Sequence, residues 1–107
     1  MEGPAYIVLF ITTATIREAK RISRALLNQR KAACVNIVPK VSSLFWWHDK
    51  LDSAQESLLI IKTKASQLDE IVRLVRELHS YDIPEIIALP IVGGNQDYLE
   101  WIEKEVK

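Results

Sequence analysis

With 107 residues, 49% of them apolar and 26% charged, the chain has the composition of one globular domain, which we predict to span residues 1–107. Its 14 basic and 14 acidic side chains cancel, which excludes the electrostatic signature of proteins that bind nucleic acid or anionic membranes. The single cysteine, Cys34, cannot form an internal disulfide and the N-terminus lacks the basic region of a signal peptide, so we expect a cytoplasmic location.

The first predicted elements are a strand and a helix. Residues 6–13 form a nearly continuous apolar, β-branched run, which is typical of a strand covered on both faces. Thr15 and Glu18 have the spacing of a capping box at the start of a helix, which we expect to end near Arg30 and Lys31 because cations suit the negative end of the helix dipole. The helix carries an apolar stripe at helical spacing. The stripe consists of Ile16, Ala19, Ile22, Leu26 and Leu27.

The middle of the chain predicts a long β-hairpin. Residues 33–47 form one arm, in which Pro39 marks a bulge or an unpaired edge. Residues 48–50 form the turn, and the returning arm ends at Thr63. Arms of about a dozen residues are longer than typical strands, so they should overhang the sheet and offer edges to a neighbouring subunit.

The last third of the sequence predicts a helix, a strand and a final helix. Ser66 and Asp69 have the spacing of a second capping box, and an apolar stripe follows to Leu78. Residues 86–92 form another strand, and a short helix runs from about Gln96 to the end of the chain. The order βαββαβ plus a helix indicates an α+β fold, a ferredoxin-like sandwich with a long β-hairpin and a C-terminal helix.

The apolar residues exceed what two helices can cover. Side chains alternate along a strand, so half of those in the apolar strands point away from the helices, and a monomer would expose them. Trp46 and Trp47 face opposite ways, so at least one indole needs cover outside the main core, in a subunit seam or against a ligand. The C-terminal helix, with Tyr98 and Trp101, is too short to cover this face alone. We therefore predict a homo-oligomer.

Several short segments stand out by their order and spacing. They are Ala33-Cys34-Val35-Asn36, Ser43-x-x-Trp46, Glu56 ahead of Lys62-Thr63, His79-x-Tyr81 with Pro84-Glu85-Ile86, and Tyr98-Leu99-x-Trp101. Together they resemble the CutA divalent-cation-tolerance family over nearly the whole chain. The resemblance implies a ferredoxin-like homotrimer, similar in structure to PII signalling proteins and linked to tolerance of copper and other divalent cations.

The resemblance also implies metal ligands. In bacterial members linked to copper, these are a cysteine in the first strand and paired histidines before the tyrosine; the matching positions here are Ile11, Leu78 and His79. Only His79 retains a ligand, so we expect direct binding of copper or another divalent cation to be weak or absent. Cys34 is the other soft ligand, although a cysteine in an apolar strand also fits a small buried residue and His79 also fits a partner of the helix dipole.

Three charged residues, Glu56, Lys62 and Glu85, lie inside otherwise apolar segments. Glu56 and Lys62 can pair across strands or subunits. Alternatively, they converge with Tyr81 on a small ligand in a cleft between subunits, where Glu85 and the two neighbouring tryptophans would also lie. The second interpretation predicts a PII-like sensor or adaptor that binds a small anion or nucleotide and relays it to a protein partner.

The sequence carries no motif of a common enzyme class. It has no G-x-S-x-G, no P-loop, no H-E-x-x-H and no Rossmann glycine pattern. We therefore predict a non-enzymatic protein.

Overall fold

The computed structural model describes residues 3–107. Met1 and Glu2 lie outside the described residues. The predicted domain of residues 1–107 and the N-terminal segment considered for a signal peptide both include these two residues. The elements in chain order are β1 (Tyr6–Thr13), α1 (Ile16–Asn28), β2 (Cys34–Trp47), β3 (Lys50–Lys64), a 3₁₀ turn (Ala65–Gln67), α2 (Leu68–Leu78), β4 (Ile86–Pro90) and α3 (Gln96–Glu105). This order confirms the predicted α+β fold.

The four strands form one antiparallel sheet in the order β2-β3-β1-β4, which is the ferredoxin-like arrangement. His48 and Asp49 form the two-residue hairpin turn, with φ angles of 51° and 61° that match the twist of the strands. The register shifts between Val38 and Val41, which confirms the bulge expected at Pro39. Ser57 donates its hydroxyl hydrogen to the Pro39 carbonyl at 2.9 Å and so satisfies the bulged backbone.

The far half of the hairpin has no sheet neighbour beyond its own two arms. β1 pairs with residues 57–64 of β3, whereas residues 50–56 of β3 pair only with β2. The hairpin therefore overhangs the four-stranded part of the sheet, as its length predicts.

One face of the sheet packs against α1 and α2 and forms the core. Alternate residues of β1 and β3, such as Leu9 and Ile61, are fully buried there with Ile22 and Leu26 of α1 and Ile71 of α2. Two residues of the predicted α1 stripe, Ile16 and Leu27, lie outside this core and are exposed.

The opposite face, called the open face below, carries the other half of the strand residues. Phe10 on β1 pairs with Ile60 and Ile87, and Ile87 is 49% exposed. The helix α3 is tied to one end of this face because Glu103 accepts hydrogen bonds from Tyr6 at 3.2 Å and from Lys64 at 2.7 Å. The remainder of the face is left apolar and partly exposed within one chain.

Several boundaries differ from the sequence prediction. The hairpin turn is His48–Asp49, one residue shorter than the predicted turn 48–50, and α3 ends at Glu105, before the end of the chain. Helix α1 ends at Asn28 and has no cation in its last turn; Arg30 takes a φ of 57° and pairs with Glu105 at 2.7 Å instead of the helix dipole. Ser66 does not cap α2, because residues 65–67 form a 3₁₀ turn and Gln67 takes the cap position. Strand β4 ends at Pro90, two residues early. Across residues 3–107, every helix is too short or too polar to cross a membrane.

Candidate functional site

The segment after α2 crosses the end of β1 and is fixed there by His79. The ring lies almost fully buried, with Nε2 2.7 Å from the Thr12 carbonyl oxygen. Nδ1 accepts the Tyr81 backbone N–H at 3.1 Å, so Nε2 carries the hydrogen and donates it to Thr12. Both ring nitrogens are engaged, and a metal ion at His79 would have to displace one of these hydrogen bonds.

Glu18 fixes the same segment from the side of α1. Its carboxylate accepts the Ser80 backbone N–H at 2.7 Å, the Ser80 hydroxyl at 3.2 Å and the Ala14 N–H at 3.1 Å, while its own N–H bonds to the Thr15 hydroxyl at 3.1 Å. The capping pattern predicted from Thr15 and Glu18 is therefore present, with Ala14 in place of Thr15 as the backbone donor. Burial acts to raise the pKa of Glu18, but the hydrogen bonds from Ser80 and Ala14 outweigh it and lower this pKa.

These anchors place Tyr81 beside Glu56. The Tyr81 hydroxyl donates to Glu56 Oε2 at 2.8 Å, and Glu56 as a residue is only 8% exposed. Burial, followed by the hydrogen bond and charge of Glu56, raises the pKa of Tyr81 to about 12. The phenol therefore remains a hydrogen-bond donor throughout the neutral range.

The Tyr81–Glu56 pair lines a cavity of about 780 Å³ between the hairpin and residues 81–85. Of the cleft residues predicted from the sequence, Trp47 and Glu85 also line it. The other lining residues are Thr12, Ser42, Ser43, Leu44, Phe45, Asp52, Asp82 and Ile83.

Two predicted cleft residues lie elsewhere in the chain. Lys62 hydrogen-bonds Asn36, and its Nζ is 4.0 Å from Cys34 Sγ. It is six residues beyond Glu56 on β3, about 20 Å along the strand, so within one chain the two form neither an ion pair nor a common site. Trp46 does not line the cavity and is 73% exposed.

The candidate metal ligands are also apart. Cys34 pairs with Lys62 in the sheet, whereas Thr12, which bonds His79, pairs with Leu58 four residues earlier on β3. Within residues 3–107, no three side chains among His, Cys, Asp and Glu lie close enough together to hold a metal ion.

Sequence reasoning missed four residues that build this site. Phe45 and Asp52 could have been found, because a two-residue turn at 48–49 pairs them across the hairpin and Phe45 shares a face with Trp47. Glu18 was noted only as a helix cap, and its bond to Ser80 joins residues 62 positions apart. Asp82 lies in an irregular segment that has no periodicity to interpret.

Comparison with known proteins gives one consistent family. The family model described as "CutA1 divalent ion tolerance protein" matches residues 7–105. A curated relative, "Protein CutA 1, chloroplastic" from Oryza sativa subsp. japonica, is 45% identical over 101 residues, which cover 94% of this chain and 57% of the relative. The "Divalent-cation tolerance protein CutA" of Archaeoglobus fulgidus is 40% identical over 99 residues, which cover 92% of this chain and 96% of the relative. The chain thus spans little more than half of the plant relative and nearly all of the archaeal one.

Solved structures agree with these sequence matches. The crystal structure of CutA1 from Oryza sativa superposes with a TM-score of 0.94 at 43% identity, covering 97% of this chain and 95% of that one. A structure described as the periplasmic divalent cation tolerance protein CutA from Archaeoglobus fulgidus superposes with a TM-score of 0.93 at 38% identity, covering 95% of this chain and 99% of that one.

Proposed function

The chain belongs to the CutA1 divalent ion tolerance family, and we propose that it acts as a non-enzymatic homotrimer that contributes to tolerance of divalent metal ions such as copper. In this proposal direct metal binding is weak or absent; where it occurs, it involves His79 first and Cys34 second. The protein would act in the cytoplasm, a location that its lone cysteine favours. Similar proteins are described as chloroplastic or periplasmic, so cell fractionation is the test of this location.

The apolar surface left uncovered by a single chain supports the homotrimer. Trp46 and Leu44 on the overhanging hairpin are 73% and 72% exposed, and Leu51 pairs with Trp46 across the strands. On the opposite side of the sheet, the open face leaves Ile87 and Leu89 partly exposed as well. Soluble monomers rarely leave this much apolar surface uncovered, and closed cyclic symmetry is the usual way to bury it against identical copies.

The hydrogen bonds of His79 support weak metal binding. Its two ring nitrogens are used by Thr12 and Tyr81, and the described chain gathers no set of three metal ligands. In this proposal, metal tolerance does not depend on storage of ions at a high-affinity site.

Equilibrium dialysis against Cu(II) and against Zn(II) tests this proposal. We expect weak binding by the wild-type protein, its loss in His79→Ala, and no change in His48→Ala, which removes the chain's other histidine from an exposed turn. Tight stoichiometric binding, or binding that His79→Ala leaves intact, would contradict the assignment.

A second candidate function follows from the cavity. A volume of about 780 Å³ is within the range of small-molecule sites, which supports a PII-like sensor or adaptor that binds a ligand and relays it to a protein partner. Native mass spectrometry of protein taken directly from cells separates the two functions. A retained organic ligand favours the sensor, whereas retained metal favours the metal-tolerance role.

A further inference from the structure

We propose that the outward side of α1 is a docking surface for an acidic helical segment of a protein partner. The segment binds along a basic stripe formed by Arg17, Lys20, Arg21 and Arg24. This inference deepens the second candidate function and rests on it, because it gives the proposed adaptor a place and a charge class for its protein partner.

The basic stripe carries charge of one sign only. Its four residues lie at positions i, i+3, i+4 and i+7 of α1, which a helix of about 3.6 residues per turn brings to one side over about 10 Å of its length. All four are exposed, and the one acidic residue of α1, Glu18, is buried. The Glu18 carboxylate accepts hydrogen bonds from Ala14 and Ser80, so it does not interrupt the stripe as it interrupts the sequence.

The neighbouring helix α2 shows the ordinary arrangement of surface charge. Its exposed Arg73 has Asp69 four residues before it and Glu77 four residues after it, the spacing at which opposite charges support a helix. In the basic stripe the same spacing joins only like charges, which repel one another. Within residues 3–107, no carboxylate forms an ion pair with any member of the stripe.

The position of the stripe along α1 also opposes the helix dipole. Arg17 is the second residue of the helix, and the last turn contains no cation. Cations stabilise a helix near its C-terminus and are unfavourable near its N-terminus. The stability of α1 therefore does not account for where these charges lie, whereas recognition of an anionic partner does.

The stripe faces away from the surface assigned to neighbouring copies. The buried side of α1, with Ile22 and Leu26, packs on the face of the sheet opposite to the open face. Copies that cover the open face therefore leave the outward side of α1 in contact with solvent. Arg21 is also held in place there, because its guanidinium donates to the Leu78 carbonyl oxygen at 2.5 Å.

The surroundings of the stripe favour a narrow protein segment. Asp69 and Glu77 are exposed on the adjacent helix α2, and they would repel a broad anionic surface such as a lipid bilayer or a nucleic-acid duplex. A segment that follows α1 alone avoids them. Leu27, 38% exposed and three residues beyond Arg24, adds an apolar contact that suits an amphipathic helix better than a row of phosphates.

Fluorescence anisotropy with labelled synthetic peptides tests the inference on the full chain in its native oligomeric state. The probe is a helical peptide of about 15 residues with glutamates at i, i+3, i+4 and i+7 and leucines beside them. Its matched peptide has glutamine in place of each glutamate. We expect the glutamate peptide to bind, with an affinity that falls as salt is added, and the glutamine peptide not to bind.

Variants of the chain locate the binding surface. Lys20→Glu with Arg24→Glu should weaken binding of the glutamate peptide at least about tenfold, because two attractions become two repulsions. The matched control Arg73→Glu with Arg76→Glu makes the same change of charge at exposed positions of α2 and should leave binding unchanged. Circular dichroism confirms that each variant is folded. Lys20→Gln with Arg24→Gln, which should weaken binding about threefold, replaces the first variant if that one does not fold.

Several results would overturn the inference. They are failure of the glutamate peptide to bind the folded oligomer, equal binding of both peptides, and binding to vesicles of phosphatidylserine and phosphatidylcholine in place of the peptide. A Lys20→Glu, Arg24→Glu variant that loses oligomer mass while peptide binding is unchanged also overturns it, because the stripe would then contact a neighbouring copy. The sensor function itself is decided separately, by the organic ligand that native mass spectrometry detects, so the two can fail independently.

Discussion

Replacing Glu18 with alanine should destabilise the protein strongly, although Glu18 lies at the start of a helix near the surface. Its carboxylate is the acceptor for two backbone N–H groups, of Ala14 and Ser80, and for the Ser80 hydroxyl. The residue is only 8% exposed, so water replaces it poorly as an acceptor. The substitution therefore leaves unpaired donors at the junction of β1, α1 and the segment that carries Tyr81.

The magnitude follows from these contacts. A hydrogen bond to a charged group contributes about 1.5 to 3 kcal/mol, and a buried donor left without a partner costs about 1 to 3 kcal/mol. Ser80 is itself exposed and can recover part of its loss by bonding to water. We therefore expect Glu18→Ala to lower the free energy of unfolding by about 3 kcal/mol.

Urea unfolding at one fixed protomer concentration is the assay, because the stability of an oligomer depends on concentration. Glu77→Ala, which removes an exposed carboxylate from α2, serves as the control and should change stability by less than about 0.5 kcal/mol. If Glu18→Ala also stays within that limit, the hydrogen bonds at Glu18 do not hold this segment in place.

Three further results are expected. Because folding lowers the pKa of Glu18, its carboxylate contributes stability above its unfolded pKa, and this contribution is lost as the pH falls through the folded pKa. Glu18→Gln should therefore lose less stability in acid than the wild-type protein, and an equal loss would refute this. The double substitution His48→Asn and Asp49→Gly should raise the free energy of unfolding by about 1 kcal/mol, because Asn and Gly adopt the positive φ angles of this turn with less strain. A lower stability of this variant in the same urea assay would contradict the described turn conformation. Ultraviolet titration of Glu56→Gln should show one tyrosine ionising at a lower pH than in the wild-type protein. The pKa of Tyr81 is raised to about 12 partly by the charge of Glu56, and the substitution removes that charge. An unshifted curve counts against the Tyr81–Glu56 hydrogen bond.

The sheet and its hairpin were predictable because their signals are local. The alternation in β1 gives a buried side and an open side whatever the rest of the chain does. The hairpin itself was predicted, but its register follows from a turn of two residues, His48–Asp49, and the prediction gave three. The α1 start was predictable for the same reason, since Thr15 and Glu18 act within one turn.

Tertiary contacts account for most of what the sequence missed. The charge of Arg30 suits a helix C-terminus, but α3 brings Glu105 within 2.7 Å, and Arg30 forms an ion pair with Glu105 instead. Lys62 lies six residues from Glu56 along β3, so their convergence in a cleft between subunits stays a prediction. The carboxylates that line the cavity are distributed over β3 and the segment before β4, so they share one lining only when folding brings these segments together.

The mass of the protein in solution tests the central claim, that the exposed apolar face is buried by identical copies. Sedimentation equilibrium of the purified chain should give three times the 12.3 kDa of one chain, about 37 kDa, and this mass should persist on dilution. A folded species of 12.3 kDa that stays in solution at every concentration would contradict the claim.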